Sequence, residues 1–111
     1  MRILIDDVRI LYAENVQLAK TLMKRDSPKE HAENLKWALQ MLYFNGAKWI
    51  QLCRIDNYPH TNETGSHMHI YPRAEIQYVN LTFEEAEKRI KRISKRILKD
   101  HFNKHIDFGG D

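Results

Sequence analysis

The sequence predicts an α+β domain: an antiparallel β-sheet of about four to five strands with a long C-terminal helix packed on one face. Three observations carry this. In the segment TFEEAEKRIKRISKRILKDHF, which starts at Thr82, apolar positions recur every three or four residues. On either side of Asn45-Gly46, apolar and polar residues alternate instead. A length of 111 residues with 42% hydrophobic content supplies one modest core, so a single domain is expected over residues 1–111.

Taken in order, VRILY and VQLAKTLMK suit a hairpin around Ala13-Glu14-Asn15, with a helix over residues 14–24 as the rival. The stretch SPKEHAENLKWALQMLYFNG also reads two ways. As a helix it has Ser27 as cap, Pro28 at the first position, Glu30 three residues past the cap and Gly46 as a stop. As a strand it alternates Leu35, Trp37, Leu39, Met41 and Tyr43. Two facts favour the strand. The run from Met41 to Phe44 is wholly apolar and would wrap right round a helix. The following KWIQLCRI is strand-like, and a tight Asn-Gly turn needs a strand on both sides.

With a two-residue turn, Phe44 faces Ala47, Met41 faces Ile50, Leu39 faces Leu52, Trp37 faces Arg54 and Leu35 faces Asp56. That face is the more apolar one and is expected to carry the helix, with Arg54 and Asp56 emerging on it at the sheet's end. Downstream, HMHIY and EIQYV read as strand, interrupted by Pro72 at an edge or bend. The late helix opens with Thr82 and Glu85 in a capping box. Its expected buried stripe is Phe83, Ala86, Ile90, Ile93, Ile97 and Phe102.

Composition narrows the function classes. Cys53 is the single cysteine, which excludes an internal disulfide and a cysteine-based zinc site and fits a reducing compartment. Its strand setting suggests a small buried hydrophobe. Arg2, Asp6 and Asp7 come too early for a signal peptide, and no apolar run is long enough for a membrane helix, so a cytoplasmic setting is expected. A net charge of +3 permits an anionic partner without requiring one.

Chemistry-bearing residues concentrate in RIDNYPHTNETGSHMHIY, residues 54–71. His67 and His69 stand two apart on a strand and share a face, while Met68 and Ile70 turn to the other. His60 lies across a loop that can fold back toward them, and Asp56 ends the preceding strand. Such a group suits two chemistries. Imidazoles with a carboxylate bind zinc, nickel or iron. Without metal, a histidine takes and gives protons near neutrality, which is what RNA cleavage by its own 2′-hydroxyl needs, together with cations such as Arg54 and Arg73. Asp56 would orient one imidazole. The plain alternative is a set of surface and loop histidines with no shared role.

His101 and His105 have a helical metal-binding spacing, but histidine near a helix C-terminus is already favourable through the dipole. Arg73, Lys88, Arg92, Lys95 and Lys99, with Arg89, Lys91 and Arg96, could track a phosphate backbone. A solvated helix face is the commoner explanation, since Glu84–Lys88 and Glu85–Arg89 also make helical ion pairs. Trp37, Trp49 and Tyr43 are expected in the core or half-buried in the sheet, not as base-stacking platforms.

Arg54-Ile55-Asp56-Asn57, Pro59-His60, His67-x-His69 and the Thr82-Phe83-Glu84-Glu85 helix start, preceded by a hairpin with a glycine turn, resemble the TumE family over about residues 35–95. That resemblance implies a growth-inhibiting toxin restrained by a cognate antitoxin, often of helix-turn-helix type. Combined with the residues themselves, it suggests a metal-independent ribonuclease that acts on RNA with no cofactor. The expected catalytic residues are Arg54, Asp56, His60, His67 and His69. Two alternatives stand beside it: a metal-binding module or metalloenzyme using His60, His67 and His69, and a non-enzymatic interaction domain. A homodimer is compatible with each.

Overall fold

The computed structural model describes residues 2–24, 35–57, 66–73 and 76–108. Six strands follow one another as an antiparallel meander: β1 (Arg2–Ala13), β2 (Val16–Lys24), β3 (Leu35–Phe44), β4 (Trp49–Asp56), β5 (Ser66–Ile70) and β6 (Ile76–Val79). One helix, α1 (Phe83–Phe102), packs on one face of the sheet. The class is α+β as expected, with six strands in place of four to five.

The N-terminal ambiguity resolves as a hairpin. Ala13 pairs with Val16 across Glu14-Asn15, and the helix over residues 14–24 is not formed. Val16 and Leu18 are fully buried while Gln17 between them is not, the period-two signature of a strand. The second ambiguity also resolves as strand from Leu35 onward; residues 27–34 of the rival helix lie outside the described residues. Pro72 sits in the turn between β5 and β6.

The core lies between α1 and the sheet. Trp37, Leu39, Met41, Leu52, Ile55, Ile90 and Leu98 are all fully buried in it. Thr82 caps the helix by accepting from the Glu85 backbone N–H, and Glu85 accepts in return from the Thr82 N–H. Those bonds hold the Glu85 carboxyl below its usual range. Ala86, Ile90 and Ile97 of the expected stripe are buried, together with Ser94 and Leu98, which the spacing argument missed. Phe83, Ile93 and Phe102 pack at the margins of the core. Phe83 and Phe102 meet Trp37 and Tyr43 at ring-centroid distances of 5.8 and 4.8 Å. Beyond the helix the chain returns to the β1 end, where Phe108 packs edge-on to Tyr12 at 4.9 Å.

Cys53 is a fully buried free thiol, as its strand setting suggested. Burial pushes its pKa from 9.0 up to about 12 because a thiolate cannot be solvated there. The sign follows from linkage: the folded pKa is the higher one, so this contribution to stability is intact below pH 9 and is lost as pH rises toward 12. Native protein at pH 8 should therefore be inert to a thiol reagent until denaturant is added, and Cys53→Ala should flatten the alkaline fall in stability. Rapid labelling of native protein would contradict the burial.

The β3–β4 register departs from the two-residue-turn expectation. The connection spans Asn45–Lys48, closed by Asn45 N–H donating to the Lys48 carbonyl at 3.1 Å, and Phe44 pairs with Trp49. The Asn45 side chain accepts from the backbone N–H groups of Ala47 and Lys48, which favours the longer turn. Beyond Leu42–Gln51 the register slips by one, so that Met41 pairs with Cys53, Gln40 with Arg54, Leu39 with Ile55 and Ala38 with Asp56. Leu52 is the extra residue of a β-bulge. Leu52 and Cys53 are consecutive and both fully buried, which strict alternation would forbid. The slip turns Arg54 and Asp56 away from the helix, correcting the expectation that they share its face.

Candidate active site

The face of the sheet opposite α1 carries no described helix or strand. Its residues line up in transverse rows. One row reads Ile76, His69, Arg54, Gln40, Ala19, Arg9 across β6 to β1, each the register partner of the next. The adjacent row reads Tyr78, His67, Asp56, Ala38, Thr21. Arg54, Asp56, His67 and His69 therefore occupy four adjoining positions on β4 and β5. The i, i+2 argument for the histidine pair holds, with Met68 and Ile70 on the helix side.

Backbone anchors fix this corner. Asn57, just past β4, accepts from the Trp37 N–H through its side chain at 2.8 Å and donates its own N–H to the Trp37 carbonyl at 3.2 Å. This clamps the strand end that bears Asp56. Ser66 does the same for β5: its hydroxyl donates to the Val79 carbonyl at 2.7 Å and accepts from the Leu81 N–H at 3.0 Å. Tyr78 sets its ring edge-on to His67 at 5.1 Å. None of these three had an assigned role in the sequence. Only the Asp-Asn adjacency hinted at Asn57, because a side-chain amide beside a strand end readily replaces a ladder bond.

Asp56 is 3% exposed and His67 is 0% exposed. A buried carboxylate demands a cationic or hydrogen-bonding partner. The Arg54 Nε donates to Asp56 Oδ2 at 3.0 Å, with the Arg54 side chain still 32% exposed. The His67 Nδ1 lies 3.8 Å from Asp56 Oδ1, an electrostatic neighbour beyond direct hydrogen-bond range. His69 is half-buried beside Arg54. The arrangement thus has a sealed part, Asp56 and His67, and a part within reach of solvent, Arg54 and His69.

Of the remaining candidates, those among the described residues are not gathered with these four. His60 lies outside the described residues. Arg73 lies on the helix side, where with Arg92, Arg96 and His101 it lines a groove of about 570 Å³ between α1 and the β5–β6 end. Lys88, Arg92, Lys95 and Lys99 are exposed along α1, so the basic helix and the histidine pair occupy opposite sides of the sheet. His101 stacks edge-on to Tyr71 at 5.5 Å, and α1 ends at Phe102 with Asn103 left-handed at φ 54°. His105 therefore lies beyond the helix, and the i, i+4 spacing with His101 has no helical geometry. Among the described residues no group of three or more His, Cys, Asp or Glu side chains is arranged to hold a metal ion.

Compared with protein-family profiles, with curated proteins and with solved structures, the chain matches none. No helix among the described residues is long and apolar enough to cross a membrane.

Proposed function

We propose that the chain is a growth-inhibiting toxin of the TumE type that cleaves RNA without a metal ion, working from the corner where β4 meets β5. The observation that carries this reading is the register that sets Arg54, Asp56, His67 and His69 side by side on the face away from the helix. In this reading His69 takes the proton from a 2′-hydroxyl, the 2′-oxygen attacks phosphorus, and the 5′-oxygen leaves with a proton supplied by His60. Arg54 stabilises the charge gathering on the phosphoryl oxygens. The salt bridge to Asp56 fixes the plane of that guanidinium. His67, sealed from solvent beside Asp56 and edge-on to Tyr78, is a positioning residue. An antitoxin partner, of helix-turn-helix type by the resemblance, holds the activity in check.

Expression with and without the adjacent open reading frame, scoring growth and total RNA integrity together, tests the proposal. The expected result is arrest with RNA fragments ending in 2′,3′-cyclic phosphate, unaffected by a chelator in vitro and relieved by the neighbouring gene. Arrest with intact RNA would refute ribonuclease action and favour an interaction domain. Cleavage abolished by chelation and restored by zinc would favour the metal-dependent alternative.

A further inference from the structure

Among the described elements α1 lies over β3 and β4, so β5 and β6 run out past its flank. The groove of about 570 Å³ occupies the angle this leaves. Ile97, 5% exposed, forms its base, with Ile70, Tyr71 and Ile93 half-buried around it. Tyr71 is braced by His101 and Phe102, at ring-centroid distances of 5.5 and 5.4 Å, and its N–H donates to the Leu52 carbonyl. The Arg73 N–H closes the next turn onto the Ile70 carbonyl. The floor is therefore apolar and held in place by the fold itself. The rim is exposed: Arg73 stands on the strand side, and Arg92 and Arg96, one helical turn apart, stand on the helix side. Past Tyr71 a second hollow opens, bordered by Trp49, Ile50 and Phe102. The sequence argument put Trp49 with Trp37 in the core or half-buried; Trp37 is fully buried, whereas Trp49 is 45% exposed.

We propose that this groove seats an acidic segment of a partner protein, with an aliphatic side chain resting on Ile70, Ile93 and Ile97 and flanking carboxylates taken by Arg73, Arg92 and Arg96. Charge selects the occupant. Among the described residues, three guanidinium groups line the groove against the one carboxylate of Asp100, and none of the three is ion-paired with a described residue. The kind of cation points the same way. Arg92 and Arg96 line the groove, while Lys88, Lys95 and Lys99 of the same helix stand outside it. Arginine forks onto carboxylates, and protein interfaces are rich in arginine and poor in lysine. A nucleic acid would leave the isoleucine floor unused, and its phosphates would be drawn to the lysines as much as to the arginines. The proposal does not depend on the ribonuclease reading, since the groove and the corner holding Arg54 and His69 lie on opposite faces of the sheet. Assigning the acidic segment to the antitoxin does rest on the toxin reading.

The probes are dye-labelled oligomers of equal length, read by fluorescence anisotropy against the full chain: a peptide of Glu-Glu-Leu repeats, its Gln-Gln-Leu and Glu-Glu-Ser twins, and single-stranded 2′-O-methyl RNA. The Glu-Glu-Leu peptide should bind, and each twin should bind about tenfold more weakly, one for want of charge and the other for want of the aliphatic anchor. Arg92→Ala and Arg96→Ala should each weaken the Glu-Glu-Leu peptide by about tenfold. Lys95→Ala and Lys99→Ala should change its affinity by less than about twofold. All four substitutions replace exposed side chains, so the thermal midpoint should hold. No binding of the Glu-Glu-Leu peptide at about 1 mM, a twin that binds as tightly, or lysine variants as costly as the arginine ones would overturn the proposal. RNA that binds more tightly than the peptide, with the same dependence on Arg92 and Arg96, would overturn it in favour of a nucleic-acid site. Peptide binding by a chain that cleaves no RNA would keep the groove and remove the ribonuclease. Cleavage by a chain that binds no peptide would do the reverse.

Discussion

His69→Ala is expected to abolish growth arrest and to slow RNA cleavage by about a hundredfold or more. The folded protein should survive, because His69 is half-buried and its loss leaves Asp56 still engaged by Arg54. His67→Ala should behave differently. That ring is wholly buried against Tyr78 and beside Asp56, so its removal opens a void next to a buried carboxylate. It should lower both stability and activity. The informative comparison is thermal midpoint against cleavage rate for the two variants. A His69→Ala protein that cleaves RNA at the wild-type rate removes this residue from the chemistry. Equal losses of stability in both variants would remove the distinction between the sealed and the reachable imidazole.

Trp37→Ala is expected to give the largest loss of stability, roughly 3–5 kcal/mol. The side chain is fully buried and meets Phe83 of the helix edge-on at 5.8 Å, so its loss unpins α1 from the sheet. For a domain of this size the thermal midpoint should fall on the order of 15 °C. Trp37→Phe should cost much less. Among the described residues the buried indole N–H has no hydrogen-bond acceptor, so losing it with the pyrrole ring removes an unfavourable polar burial along with some packing. Chemical denaturation followed by circular dichroism measures both variants. The mutation also acts at a distance from the packing itself: the Trp37 backbone holds Asn57, so loosening β3 here loosens the strand end that presents Asp56.

Local signals were legible in the sequence and phase was not. The capping box, the helix stripe and the strand character of β5 each depend on residues within a turn or two of one another; the capping box and the strand emerge as read, and the stripe does so at Ala86, Ile90 and Ile97. The choice of strand over helix for residues 35–44 rested on the apolar run from Met41 to Phe44, in which Met41 and Tyr43 enter the core under the helix while Leu42 and Phe44 are half-buried on the other face. The sequence grouped Asp56 with the histidines, but the face they share and the choice of His67 as its neighbour could not be read, because they depend on how many residues separate two strands from their shared turn. A four-residue turn alone would have kept Arg54 and Asp56 under the helix; the single unpaired Leu52 reverses them. The separation of the basic helix from the histidines has a similar origin, since no periodicity within α1 says which side of the sheet it will cover.

That unpaired residue has a consequence for how the gene can vary. Exchanging Leu52 for another aliphatic side chain alters one buried volume, and dropping its codon would remove the bulge while leaving Gln51 opposite Leu42, Cys53 opposite Met41 and Arg54 opposite Gln40. One added residue that joined the ladder here would instead turn Cys53 and Ile55 outward and drive Arg54 and Asp56 under α1, so mutational drift at this point should admit replacement or loss of Leu52 and reject an insertion.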